Sequence, residues 1–162
     1  MSVTKESDLY EIIRRLWPLH RTIVRAVERE VTPLGLSAAL HALLDRLRTH
    51  GPQTVPQLAR ALGLDRQPVQ RWVNDTAALG LTDSAPNPAH RRSRLVRLTA
   101  HGADTIDRVQ AAEAAELRTA LADVTAQEVA ACLRVLTRLD EEFHRLATDG
   151  TRSDTPAGGT TP

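Results

Sequence analysis

Between Thr54 and Gly80 the chain is punctuated so closely that few backbone paths remain open to it. Thr54 and Gln57 stand three apart, the spacing of a capping box, in which each side chain satisfies an unpaired backbone N–H of the other. Pro56 is tolerated in a first turn, and Leu58, Ala59 and Leu62 form a short apolar stripe before Gly63 stops the helix. Asp65 is placed to cap a second helix, Arg66 to Leu79, which Gly80 ends. On that second helix Val69, Trp72, Val73, Thr76 and Leu79 fall on one side, while Gln67, Gln70, Arg71 and Asn74 project from the other. Two short helices joined by so few residues, the second with a polar outer face, are the sequence form of a helix-turn-helix.

The segment after Gly80 has the form of a wing. Leu81 to Ser84 and Arg94 to Leu98 read as short strands around the turn-rich, basic connection Ala85 to Ser93. The formal net charge of +1 argues neither for nor against nucleic acid, but its distribution does. Residues 60–101 hold 7 basic and 3 acidic groups, against 8 and 6 before them and 6 and 11 after them. Positive charge is therefore concentrated where the hairpin and the second helix lie.

Long amphipathic helices flank this middle. Leu9, Ile12, Ile13, Leu16, Ile23, Val24, Val27 and Val31 recur at helical spacing, with Pro18 predicting a kink near Trp17. Ser37 caps a helix carrying Leu40, Leu43, Leu44 and Leu47, which Gly51 and Pro52 end. Thr99 opens a helix through Ile106, Val109, Leu117 and Leu121, and Thr125 with Glu128 opens another through Val129, Leu133, Leu136, Leu139, Phe143 and Leu146. Only 2% of the chain is aromatic, so a core must come from Leu, Val, Ile and Ala, which favours packed helices over a β-sandwich. The fold class is mainly α (α+β): a winged helix-turn-helix with long N- and C-terminal dimerisation helices. Its parts are an N-terminal dimerisation helix over 1–34, the winged domain over 35–99, C-terminal dimerisation helices over 100–148 and a disordered tail over 149–162.

Several of these segments together resemble the MarR family of bacterial regulators. The resemblance is carried by Leu36-Ser37, the run from Thr54 to Val73, Leu79-Gly80-Leu81, and the run from Arg91 to Thr99 with Gly102. It implies a triangular homodimer in which the first and last two helices interlock and two winged domains straddle one face of the DNA. It further implies a repressor that a small molecule releases. Two positions depart from the family pattern. His90 stands where the family usually has an Asp that braces a wing arginine, here Arg92. In the recognition helix Gln70 replaces a common Ser or Thr, and Trp72 a common Leu.

Candidate DNA contacts are Thr54, Arg66, Gln67, Pro68, Gln70, Arg71 and Asn74 on the helix-turn-helix, with Arg91, Arg92 and Arg94 on the wing. Gln or Asn pairs bidentately with adenine, Arg pairs with guanine or phosphate, and guanidinium groups on a narrow hairpin suit the minor groove. Trp72 shares its stripe with Val69, Val73 and Thr76, which predicts core packing rather than base stacking. Trp17, His20 and His41 are candidates for an effector cleft that takes an aromatic or phenolic molecule. Cys132 is expected to be an inert, buried thiol, and as the only cysteine it precludes an intramolecular disulfide. The six histidines show no ligand spacing, so no metal and no cofactor is expected. No phosphate loop, nucleophile motif or carboxylate pair points to an enzyme. Neither a signal segment nor an apolar run of membrane-spanning length is present, which predicts a soluble, cytoplasmic protein. The competing reading is a winged helix that serves as a protein–protein interaction module without sequence-specific DNA binding.

Overall fold

Capping chemistry sets where the helices begin. In the computed structural model, which describes residues 5–90 and 92–149, α1 spans Lys5–Val31 and continues unbroken through Pro18. A 3-10 turn over Thr32–Leu34 leads to α2, Ala38–His50, where the Ser37 hydroxyl accepts the Leu40 N–H at 3.3 Å. Helix α3, Val55–Leu62, opens on the predicted capping box. Gln57 Oε1 accepts the Thr54 N–H at 2.8 Å, and Thr54 Oγ1 accepts the Gln57 N–H at 3.4 Å. Gly63 turns the chain with φ +65°, a left-handed conformation costly for any residue with a Cβ. Helix α4, Arg66–Ala78, follows. Asp65 occupies its N-cap position, but, contrary to expectation, its side chain accepts no capping hydrogen bond.

Strands β1, Thr82–Pro86, and β2, Arg94–Leu98, pair antiparallel with Thr82 opposite Leu98 and Pro86 opposite Arg94. The first strand begins one residue later and ends two residues further on than the sequence suggests. A proline at a strand end is tolerated because no ladder donor is required of it there. Gln53 adds a two-bond bridge to the outer side of β2, its N–H donating to Val96 O at 3.0 Å and its carbonyl accepting the Val96 N–H at 2.8 Å. Helix α5 spans Ala100–Ala120 and α6 Ala126–Asp149. Among the described residues no helix is long and apolar enough to cross a membrane.

The chain divides into two compact units, 1–114 and 115–162. The core of the first has two lobes. Leu40 and Leu44 of α2 join Val31, Leu36, Leu81, Ile106 and Val109; Leu43 and Leu47 join Leu58, Ala59, Val69 and Val96. Trp72 and Leu98 pack against both. The core expectation for Trp72 therefore holds, and its side chain ties α4 to both lobes.

A second link is polar. Along one side of α2, His41, Asp45 and Arg48 meet Glu113, Gln110 and Asp107 of α5 in reverse order, so the two helices run antiparallel. Arg48 holds Asp107 through two bonds of 2.6 and 3.0 Å, Gln110 Nε2 donates to Asp45 Oδ1 at 2.6 Å, and His41 Nε2 lies 3.6 Å from Glu113 Oε1. The first turn of α5 is also clamped to the end of α4. Thr99 N–H donates to Leu81 O at 3.0 Å, and Thr99 Oγ1 donates to Gly80 O at 2.7 Å while accepting the Gly102 N–H at 3.0 Å.

In the second unit, α6 and the end of α5 contain no buried residue among those described, and Leu117, Leu121, Leu133, Phe143 and Leu146 are about half exposed or more. The burial expected for Cys132 is thus corrected: its thiol is exposed. Helical spacing reveals that a face is apolar, but not whether the same chain covers it.

Two measurements check this packing. A Cβ on Gly102 would stand 1.9 Å from the Leu81 carbonyl oxygen, which belongs to the backbone and cannot step aside. The helix-propensity gain of Gly102→Ala, about 1 kcal/mol, is smaller than an overpacking penalty of about 1–3 kcal/mol or more. With the clash against backbone, we expect a net loss of roughly 2 kcal/mol and a fall in Tm of roughly 4–8 °C. Arg48 beside Asp107 holds that carboxyl below its ordinary value by hydrogen bonding first and charge second. The pair's stabilisation is therefore present above the unfolded carboxylate pKa and is lost as pH falls through the lower folded value, below about pH 4. Asp107→Asn should lower Tm at neutral pH only slightly, as befits an exposed pair, and flatten the acid limb of a Tm-against-pH curve.

Candidate nucleic-acid interface

Burial of one side of α4 decides what its other side presents. Val69 and Thr76 are fully buried, and the Thr76 hydroxyl is bonded to Trp72 O at 2.9 Å, to Val73 O at 3.1 Å and to Thr82 Oγ1 at 2.9 Å. These contacts fix the helix rotation against β1. Arg66, Gln67, Gln70, Arg71 and Asn74 are consequently exposed, and Pro68 is half-buried. Gln70 Nε2 donates to Asn74 Oδ1 at 3.0 Å, a pairing that helical neighbours four apart can make. Arg66 and Arg71 have no hydrogen bond or ion pair among the described residues.

At the start of α3, the Thr54 side chain is 9% exposed and committed to the capping box, donating also to Gln57 Oε1 at 2.9 Å. Pro56 has no N–H and that of Gln57 is taken, so this helix start has little left to offer a phosphate beyond the Val55 N–H. The start of α4 is more open: its N–H groups lack a side-chain cap, although Asp65 places a negative charge beside them.

Strand alternation sorts the wing residues. Asp83 and Arg97 are directly opposed on one face and joined by bonds of 2.6 and 3.0 Å. The Arg97 guanidinium keeps the Asp83 carboxyl below its usual range, chiefly through those hydrogen bonds. Thr82, Ser84, Arg94 and Val96 share the other face. Arg94 donates to Ser84 Oγ at 2.5 Å and to Ser84 O at 2.7 Å, so its guanidinium is anchored to the strand pair and not extended from the tip. Arg92 is exposed in the connecting turn, and Arg91 lies outside the described residues.

The turn is held by residues to which the sequence assigns no role in advance. Asn87 Oδ1 accepts the Ala89 N–H at 3.0 Å, its Nδ2 donates to Ser93 Oγ at 2.8 Å, and Ser93 Oγ donates to His90 O at 3.1 Å. His90 thus contributes backbone, and Asn87 with Ser93 supplies the bracing that its side chain does not. An Asn two residues before a turn amide is a recognisable signal for such a loop. Ser84, which anchors Arg94, has no comparable signature.

These elements enclose one cleft of about 420 Å³, bordered by Thr54, Val55 and Pro56 of α3 and its cap, Gln70 and Asn74 of α4, and Ser84, Ser93 and Arg94 of the wing. The sequence-predicted contacts Thr54, Gln70, Asn74 and Arg94 therefore meet at one place. Arg66, Gln67 and Arg71 stand on the same exposed side of α4. The effector candidates are placed differently: Trp17 and His20 are exposed on α1, and His41 is mostly buried on α2. Among the described residues, no group of three or more His, Cys, Asp or Glu is gathered as metal ligands.

Comparison with known proteins bears on the same region. The MarR family model matches residues 34–93, which contain α2, the helix-turn-helix and most of the wing. An uncharacterised protein of Mycobacterium tuberculosis is 53% identical over 49 residues, covering 30% of this chain; the match spans about a third, 34%, of that relative's length. A crystal structure of a MarR family transcription regulator is 32% identical, with a TM-score of 0.75, over 91% of this chain and 99% of that one. A mutant MarR from E. coli, crystallised in complex with operator DNA, shares the fold at 23% identity and a TM-score of 0.66, over 84% of this chain and 98% of that one. With the long-range identity, the family match and the winged helix-turn-helix agreeing, the chain belongs to the MarR family of transcription regulators.

Proposed function

We propose that the protein binds pseudo-palindromic duplex DNA as a homodimer in the cytoplasm and represses transcription until a small aromatic or phenolic effector releases it. The observation that carries this reading is the exposed face of α4, with Gln67, Gln70, Arg71 and Asn74, set beside a wing bearing Arg92 and Arg94. Gln, Asn and Arg are the side chains that read base edges in the major groove, and an arginine-bearing hairpin suits the narrower groove beside it. The E. coli MarR that shares this fold is seen on operator DNA.

Apolar surface left uncovered supports the dimer. Tyr10, Trp17, Leu19 and Ile23 on α1, and Leu133, Phe143 and Leu146 on α6, are each at least half exposed. Single exposed apolar residues are ordinary; several large ones on each of two long helices mark contact surfaces. A second copy is the occupant because a twofold pair of recognition helices matches two half-sites about 10 base pairs apart. The effector would act through Trp17, His20 and His41, by stacking and hydrogen bonding. It shifts DNA affinity only as far as it binds the two arrangements of the dimer unequally.

Arg92→Ala tests the wing. Each phosphate contact contributes about 0.9 to the slope of log affinity against log salt, so losing one from each subunit should lower the slope by about 1.8 and weaken binding to every sequence. Unchanged affinity and slope in a gel-shift titration would remove the wing from the interface, and no binding to duplex DNA by the wild type would favour the protein-interaction reading. Leu133→Glu tests the dimer: a charge placed on the exposed face of α6 leaves the first unit's core intact. Light scattering should then report a monomer with intact helicity and much weaker operator binding. A variant that remains dimeric assigns the interface elsewhere.

A further inference from the structure

Gln70 and Asn74 stand one turn apart on the solvent side of α4, and their amides are joined at 3.0 Å. That bond consumes one donor of Gln70 and one acceptor site of Asn74. The two groups the bond leaves wholly unused are the Gln70 Oε1 acceptor and the Asn74 Nδ2 donor, beside the second N–H of Gln70 Nε2 and the second lone pair of Asn74 Oδ1. Exchanging oxygen and nitrogen in both amides reverses the bond and again leaves one amide oxygen and one amino group wholly unused. Both residues border the cleft between α4 and the wing, and neither side chain has another hydrogen bond among the described residues.

We infer that Gln70 and Asn74 act as one coupled reader, and that the base they read is adenine. The inference rests on the proposed entry of α4 into the major groove. There adenine is the one base that shows an acceptor, N7, next to a donor, the N6 amino group. Guanine shows two acceptors, cytosine a donor, and thymine an acceptor beside a methyl group. Guanine, with two acceptors, could engage only the amino groups of the pair and would leave the Gln70 Oε1 acceptor without a donor, whereas adenine uses both unused groups. The bond also holds both side chains in place before DNA arrives, so less rotamer freedom is lost on binding. Arg71, donor-only and without a partner among the described residues, suits guanine or a phosphate and leaves the adenine contact to the amide pair.

The test begins with selection of bound duplexes from random sequence by the full-length wild type. Affinities of wild type, Gln70→Ala, Asn74→Ala, the double variant and Asn74→Asp are then measured on the selected site and on single-base replacements of it. The expected half-site contains an A·T pair whose replacement by G·C costs the wild type about tenfold or more. Either alanine variant erases that discrimination, and the double variant erases no more. Asn74→Asp replaces the remaining donor by an acceptor and should bind the adenine site more weakly than Asn74→Ala does. Guanine at the dependent position, losses that multiply in the double variant, or no position sensitive to either residue would overturn the inference while leaving DNA binding in place. If the wild type enriches no sequence, the DNA-reading proposal falls and this one with it. Both side chains are exposed, so the variants keep the fold, which their thermal melting checks.

Discussion

Val69 and Thr76 are sealed from solvent on one side of α4, and Trp72 between them packs against both lobes of the core. This burial sets the rotation of the helix about its own axis. Turning it by a single residue, about 100°, would expose Val69 and drag Gln70 or Arg71 inward, where an amide or a guanidinium without partners costs several kcal/mol. The Thr76–Thr82 hydroxyl bond adds a directional constraint that apolar contact alone lacks, because it joins α4 to the first residue of the wing. The polar face is thus presented in one orientation, and the wing in a fixed relation to it. Recognition by side chains of limited reach depends on such preorganisation.

How much of this was legible in the sequence varies with the range of the interaction. Caps and stops are local, and Ser37, Thr54 with Gln57, Thr99, and Thr125 with Glu128 all do what their spacing indicates. The inward and outward sides of α4 were readable as far as Thr76, since 3.6-residue periodicity assigns them without knowledge of the partner, but Leu79, expected on the inward stripe, is the exposed C-cap residue. Contacts between distant residues were not readable. The Gln53–Val96 bridge joins residues 43 apart with no motif at either end. The Arg94–Ser84 anchor is a cross-strand contact settled only once the register is known. Cys132 shows the limit from the other side: its apolar neighbours define a face, and only coordinates reveal that the face is bare.

Departures from the family pattern gain meaning from the same geometry. At the wing turn, where the resemblance leads one to expect a carboxylate at position 90, the turn is held by neutral hydrogen bonds of Asn87 and Ser93. Arg92 has no carboxylate partner among the described residues, so none of its charge is offset there by an ion pair. Asp83, by contrast, offsets Arg97, whose guanidinium is held in a two-bond ion pair on the opposite face of the hairpin. The described part of the hairpin therefore holds two of its arginines, Arg94 and Arg97, in bonds within the strand pair and leaves Arg92 exposed in the turn.

Helix α5 connects these local arrangements to the rest of the chain. Its first part is held to α2 by the Arg48–Asp107, Gln110–Asp45 and His41–Glu113 pairs and to the end of α4 by the Thr99 and Gly102 contacts. Gly102 admits no side chain at that docking point, so the helix cannot shift along the Leu81 carbonyl without meeting it. Within the first unit, the start of α5 therefore carries the base of the wing, through Thr99 bonded to Gly80 and Leu81. Close packing and hydrogen bonds at this docking point resist local deformation, because it would break several contacts at once.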